Sequence, residues 1–281
     1  MSRKISVVTI NLNNKGGLQC TMDSILSQGY DNLEYIVVDG NSSDGSLNII
    51  EQHRGRIDKL IVEKDSGPYN AMNKALDFVT GDYVIFVNSG DRLVEGILNK
   101  VFGNYQGFDD LVFGDYYVSR AGVSLYVHKV SHNPGIVFFF KSNLNHQSTF
   151  IRTELHQKFR YDESLRIAAD FKLFFNLILR ENCSVHHVGL PIAIFDLAGI
   201  SSQSNHEVLH QKERWLVLNS YLSPTAIEEL NELSFSMQSP IFKYINRFRD
   251  SKKLELFSAK LLSFMSKMAK NSFCTLPAKQ K

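Results

Sequence analysis

The sequence predicts an α/β fold: a Rossmann-like, mostly parallel sheet with helices on both faces, followed by C-terminal helices. The first observation is a set of short runs rich in Val and Ile, predicted as strands over residues 5–10, 35–39, 60–63 and 83–87. The second is a set of helix-like segments between them, over residues 17–27, 45–53 and 69–79. Continuous β-branched runs spaced by helices are typical of a parallel sheet that is buried on both faces.

The pattern changes after residue 91. Residues 111–118 and 123–130 are predicted as a hairpin, so we expect the sheet to become mixed. Helices are predicted over 169–180 and 207–221, with a strand over 192–196 between them, and proline-containing breaks follow at Ser223-Pro224 and Ser239-Pro240. We therefore predict one large domain over residues 1–222, with a boundary between its two halves at about residue 92. A basic helical appendage is predicted over 223–281.

Composition excludes several classes of protein. The three cysteines have no CxxC spacing, which favours reduced thiols over a disulfide framework or a zinc site. No apolar run approaches the ~18 residues that span a bilayer, and no secretory leader is recognisable, so we expect a cytoplasmic protein. Residues 240–281 carry ten Lys or Arg against two Asp or Glu in an amphipathic pattern. This tail is predicted either to pack on the domain at 1–222 or to dock peripherally on the inner face of the membrane. No nucleic-acid partner is expected.

Polar residues follow the predicted strands, where ligands of such sheets bind. Asp39 comes directly after Val37-Val38, where it can accept a hydrogen bond from a base or a ribose. The alternative is a simple turn, with Asp44 capping the next helix. Asn88-Ser89-Gly90-Asp91 follows the fourth strand. A carboxylate there suits Mg²⁺ or Mn²⁺ bound to a diphosphate, although a strand-to-helix turn would give the same pattern.

Taken together, these motifs resemble family 2 glycosyltransferases of the GT-A fold. The matching runs occur in the family's order at residues 5–11, 35–46, 63–75 and 81–91, then at 146–148, 169–173 and 198–201. The resemblance covers roughly residues 4 to 205 and implies an inverting transferase of surface polysaccharide or glycolipid synthesis. It also implies that the domain at 1–222 is catalytic, with a nucleotide half at about 1–92 and an acceptor half at about 93–222. Its donor would be a nucleotide-diphosphate sugar, most simply a UDP-sugar, and its acceptor a glycan or a lipid-linked hydroxyl.

The resemblance also implies roles for individual residues. Six of them would contact the nucleotide donor, with the two aspartates nearest the base: Thr9, Asn11, Asp39, Asp65, Lys74 and Asn88. Asp91 would be the ligand of Mn²⁺ or Mg²⁺. His146 and Gln147 would form the acceptor side of the cleft. Asp170 matches the acid that deprotonates the acceptor hydroxyl.

Chemistry supports the last assignment, because inverting transfer needs one ionised carboxylate within reach of the attacking oxygen. Asp170 begins a predicted helix, whose N-terminus favours a negative charge. A structural aspartate at that position would have the same pattern.

Two positions depart from the family pattern. Asn88 replaces the usual first aspartate of the metal-binding motif, which leaves fewer charges for a cation. Met72 stands where many members have an arginine that reaches the donor, and Lys74 is the candidate replacement. Two other functions remain open: a sugar nucleotidyltransferase, for which residues 13–17 are a poor phosphate loop, and a non-catalytic protein that binds nucleotide sugars. A dehydrogenase is disfavoured because no GxGxxG follows the first strand.

Overall fold

The computed structural model describes residues 2–120, 123–197 and 204–239, together with Ser263. The motif at residues 198–201 and, Ser263 apart, the tail at 240–281 lie outside this part of the chain. The chain divides into two compact units, Met1–Tyr221 and Leu222–Lys281. None of the described helices is long and apolar enough to cross a bilayer.

Nine strands in the first unit form one sheet. They are β1 (Ile5–Asn11), β2 (Leu33–Asp39), β3 (Lys59–Val62), β4 (Tyr83–Phe86), β5 (Arg92–Leu93), β6 (Leu111–Arg120), β7 (Val123–His128), β8 (Thr149–Arg152) and β9 (Val185–Asp196). The strand order is β3-β2-β1-β4-β8-β6-β9-β5, and β7 pairs with β6. The first four strands are parallel, whereas β8 is antiparallel to both of its neighbours. The predicted change from a parallel to a mixed sheet is confirmed, and so is the hairpin formed by β6 and β7.

The helices of the first unit are α1 (Lys15–Leu26), α2 (Ser46–Gln52), α3 (Pro68–Leu76), α4 (Ile97–Phe102), α5 (Ile136–Lys141), α6 (Thr153–Lys158), α7 (Ala169–Phe175) and α8 (Ser204–Tyr221). A π-helical turn at Asn176–Arg180 continues α7. In the second unit α9 (Pro224–Gln238) begins at the predicted break, where Ser223 Oγ accepts the Ala226 N–H at 3.2 Å.

Alternate residues of the central strands point to opposite faces, as the pleat of a strand requires. One set, which includes Val7, Val37 and Ile85, packs in a single buried cluster with α1, α2 and α4. On the other face α3 packs against β1 and β2, and α6 packs against β4. All seven residues of β1 are buried because this central strand has a partner on each side and helices on both faces. The carboxyl ends of β1, β2 and β4 therefore meet at one edge of the sheet.

Candidate active site

Asp39 and Asn11 lie side by side at the ends of β2 and β1. The Asp39 carboxylate is fully buried and accepts hydrogen bonds from Asn11 Nδ2 at 2.7 Å and from the Ser42 backbone N–H at 2.7 Å. Asn11 Oδ1 is also buried but finds no donor among the described residues. A buried acceptor without a donor costs stability, so this position suits a ligand that brings an N–H group.

Asp65 follows β3 and approaches the same strand ends. A Cβ atom built on Gly40 would lie 2.7 Å from Asp65 Oδ2 and 3.0 Å from Leu12 Cδ1, so a larger residue at position 40 would displace these side chains. Lys74, in contrast, is committed elsewhere. Its Nζ donates to the Lys64 carbonyl at 2.9 Å and pairs with Glu63 Oε1 at 2.8 Å, which holds the segment that follows β3.

Thr9 lies in the core and not on the crevice. Its Oγ1 donates to the Val87 carbonyl at 3.0 Å and accepts from Tyr35 Oη at 3.1 Å, with no exposed surface. The predicted contact of Thr9 with the nucleoside stays a prediction. Met72 is likewise buried on α3, at 1% exposure, so its side chain is not available to the donor.

The turn at residues 88–91 is held by helix α1. Gly90 has a φ of 109°, in the region that favours glycine, and its N–H donates to Thr21 Oγ1 at 2.9 Å. Thr21 Oγ1 in turn donates to the Asp91 carbonyl at 2.6 Å. Asn14, the N-cap of α1, donates from Nδ2 to the Ser89 carbonyl at 2.9 Å. Sequence reasoning missed both Asn14 and Thr21, and only the capping role of Asn14 had a local signal.

Asp91 is buried below this turn. Its Oδ2 accepts from Gln147 Nε2 at 2.6 Å, and its Oδ1 accepts from the Asp196 backbone N–H at 3.0 Å. Burial raises the pKa of Asp91 to about 6.

Each Asp91 oxygen accepts one protein hydrogen bond and has a second lone pair, so the role of Asp91 as a metal ligand stays a prediction. In the described part of the chain no group of three or more His, Cys, Asp or Glu side chains is arranged to hold a metal ion, whereas Mg²⁺ beside a diphosphate uses one or two carboxylates together with phosphate oxygens. Gln147 is 3% exposed and donates to Asp91, and its predicted place on the acceptor side of the cleft stays a prediction.

His146 connects the end of β4 to the start of α7. Asn88 Nδ2 lies 3.1 Å from His146 Nε2, and His146 Nδ1 lies 3.6 Å from Asp170 Oδ2. The contact between the Asn88 amide and Nε2 fits either ring tautomer, because the amide can turn. His146 Nδ1 is buried, makes no hydrogen bond with the described residues and faces the Asp170 carboxylate. Asp170 Oδ1 accepts from the Phe171 backbone N–H at 2.7 Å. The structure therefore brings three predicted residues, Asn88, His146 and Asp170, into one contact chain.

Glu213 on α8 fixes the segment that precedes α7. Its carboxylate is buried and accepts three successive backbone N–H groups, from Arg166 at 2.9 Å, Ile167 at 2.9 Å and Ala168 at 3.0 Å. These bonds position the first turn of α7, which carries Asp170. Sequence reasoning missed Glu213 because nothing in the pattern of α8 distinguishes a buried carboxylate from its exposed neighbours.

The chain is similar in sequence or in fold to known glycosyltransferases. A PGL/p-HBAD biosynthesis glycosyltransferase of Mycobacterium tuberculosis (strain H37Rv) is 30% identical over 178 residues, which span 59% of this chain and 66% of that relative. The S. aureus TarS structure in complex with UDP-GlcNAc superposes with a TM-score of 0.62 at 17% identity, over 83% of this chain and 71% of TarS. A Pyrobaculum calidifontis mannosyltransferase in complex with GDP-Man and Mn²⁺ gives a TM-score of 0.58 at 14% identity, over 96% of this chain and 81% of the other.

At these identities the two solved structures establish the fold alone, and the predicted GT-A architecture is confirmed. The family model described as glycosyl transferase family 2 matches residues 6–180. That segment is more than half of the chain and includes β1 to β4, the turn at 88–91, His146 and Asp170. The chain therefore belongs to glycosyl transferase family 2.

Proposed function

We propose that this glycosyltransferase moves a sugar, with inversion, from a UDP-sugar to a hydroxyl of a saccharide or lipid-linked acceptor in surface glycan synthesis. One observation carries the proposal: the contact chain from Asn88 through His146 to Asp170 joins a strand end of the nucleotide half to a half-buried carboxylate. The relative named for PGL/p-HBAD biosynthesis supports the substrate class, and the neighbour in complex with UDP-GlcNAc supports the donor.

In the proposed reaction Asp170 acts as the general base. Its carboxylate accepts the proton of the acceptor hydroxyl, while the hydroxyl oxygen bonds to the anomeric carbon of the donor sugar. The bond between that carbon and the diphosphate oxygen breaks, and the nucleoside diphosphate leaves. A single displacement inverts the configuration. His146 Nδ1 lies 3.6 Å from Asp170 Oδ2, and in the proposed reaction a proton on that nitrogen holds the carboxylate in place.

For the donor we propose that the nucleoside occupies the crevice at the ends of β1, β2 and β3. Asn11 Oδ1, which finds no donor among the described residues, supports this, since a nucleobase N–H would satisfy it. Asp39 and Asp65 stand beside it and complete the polar lining. The predicted donor contacts of Lys74 and Asn88 stay predictions.

The Mn²⁺ or Mg²⁺ cofactor also stays a prediction. The mannosyltransferase of similar fold is in complex with Mn²⁺, whereas in this chain Asp91 is committed to Gln147 and Asp196. Titration calorimetry with UDP, in Mn²⁺ and in EDTA, decides whether the metal contributes to donor binding.

Asp170→Asn tests the proposed mechanism. The amide keeps the size of the side chain but cannot take the proton, so transfer should fall by ~10²–10⁴-fold while UDP affinity stays unchanged. The product of the parent enzyme, analysed by NMR, should have the inverted anomeric configuration. Asp77→Asn is the matched control, because Asp77 pairs with Arg160 on the surface away from the crevice.

A mutant that transfers at the parental rate would remove Asp170 from catalysis, and a retained configuration would reject single displacement. UDP-sugar binding by the parent with neither hydrolysis nor transfer would favour the non-catalytic alternative.

The basic charge of residues 240–281 supports a peripheral contact with anionic membranes, which we propose as the place of the acceptor. Co-sedimentation with phosphatidylglycerol vesicles should weaken as salt rises, since exposed charges are screened. Sedimentation that is unaffected by salt, or no sedimentation, would contradict this contact.

A further inference from the structure

A pocket of about 310 Å³ lies between α5 and α8 in the first unit. Its lining residues are Phe140, Lys141, His210, Gln211, Arg214, Trp215 and Leu218. The volume is at the lower end of the ~300–1,000 Å³ that is usual for small-molecule sites. None of the residues assigned above to the nucleoside, to the turn at 88–91 or to the base belongs to this lining.

The pocket adjoins the base. Glu213, on the same helix as five of the lining residues, holds the backbone that precedes α7. The Arg214 guanidinium lies 4.4 Å from the ring centroid of Phe171, which is next to Asp170 in the chain. Burial lowers the pKa of His210 and of Arg214, and in both cases the Asp170 carboxylate opposes the shift. The pocket and the base thus belong to one electrostatically coupled region.

The lining has the chemistry of a site for a charged sugar. Lys141, His210 and Arg214 supply positive charge or N–H donors, and the lining residues that the structure describes include no aspartate or glutamate. Trp215, the single tryptophan of the chain, is 41% exposed and offers an aromatic face. Phe140 supports its indole edge-on, at a centroid distance of 6.1 Å. The chain's own tail at 240–281 is strongly basic, so its charge does not match this pocket.

We propose that this pocket binds the acceptor as an anionic saccharide, whose ring stacks on Trp215 while its phosphate or carboxylate contacts Lys141, His210 and Arg214. A hydroxyl of the same molecule then lies toward Asp170. The direction of transfer, although not the binding itself, rests on the function proposed above.

Because the chain has one tryptophan, its fluorescence reports on this pocket directly and requires no donor or transfer. The full chain is titrated with glucose 1-phosphate and with glucuronic acid, which separate a phosphate from a carboxylate. Methyl glucoside is the neutral control, and inorganic phosphate is the control for an anion without a sugar. We expect saturable quenching by one or both charged sugars, with binding at least tenfold tighter than that of either control.

Single substitutions test which side chains of the pocket contact the charged sugar. Lys141→Ala should weaken the charged sugar by about fivefold, the upper range for a single exposed ionic contact. His210→Ala should weaken it by a similar factor, because it removes the N–H donor of the ring. Lys212→Ala is the matched control, because this exposed lysine is on α8 but outside the lining, and it should change nothing. Four results would each overturn the proposal. They are binding of methyl glucoside as tight as that of the charged sugar, binding of inorganic phosphate as tight as that of the charged sugar, absence of quenching, and equal effects of all three variants. UDP titration is a separate measurement, so failure of the proposed function does not affect this result.

Discussion

Replacing Asp91 by asparagine should stabilise the protein at neutral pH. Burial raises the pKa of this carboxyl to about 6 from an ordinary value of 3.8, and each unit corresponds to 1.36 kcal/mol. The folded state binds the proton of Asp91 more tightly than the unfolded chain does. The stability that this proton contributes is therefore fully present below pH 4 and is lost as the pH rises to 6. At pH 7 the ionised carboxylate therefore lowers the free energy of unfolding by about 3 kcal/mol.

Asparagine has the shape of the protonated carboxyl and removes this penalty. Gln147 can turn its amide, since its Oε1 is buried and finds no donor among the described residues. Urea unfolding at pH 4 to 8 in EDTA should place Asp91→Asn about 3 kcal/mol above the parent at pH 7 and level with it near pH 4. A variant that is less stable than the parent at pH 7 would refute the reasoning. Asp77→Asn, on the surface, should track the parent throughout.

Three further predictions concern buried or bridging groups. Burial lowers the pKa of His156 to about 4 from 6.5, so its share of stability, about 3 kcal/mol, should be lost as the pH falls from 6.5 to 4. Urea unfolding of His156→Phe should lack that loss, and an unchanged acid slope would contradict it. Glu213→Gln should lower the free energy of unfolding by about 2 kcal/mol, because one carbonyl oxygen cannot serve three N–H donors, with UDP affinity unchanged by calorimetry. Parental stability would show that water replaces those bonds. Asn88→Asp should place the His146 proton on Nε2, because a carboxylate can only accept a hydrogen bond. ¹⁵N NMR of the ring reads the tautomer directly, and an unprotonated Nε2 in the variant would rule this out.

The sequence predicted where the strands end. It did not predict which way the side chains there point or which groups hydrogen-bond to them. Asp39 and Asn11 meet as expected, because parallel pairing brings the carboxyl ends of β1 and β2 together. Asp91 was assigned to a cation because its neighbours along the chain resemble a metal motif. The groups that occupy its oxygens, Gln147 and the Asp196 backbone, are 56 and 105 residues away. Such partners are visible only after the chain has folded.

Glu213 shows that the segment matched by the family model does not contain every residue that positions Asp170. The segment matched by the family model ends at residue 180, yet the carboxylate that satisfies three backbone N–H groups before α7 comes from α8. A fragment cut at residue 180 would expose those groups and loosen the helix that carries Asp170. The smallest piece worth expressing, or exchanging with a relative to alter acceptor choice, therefore extends through Tyr221. In a chimera, α8 and the loop that it holds must come from the same parent.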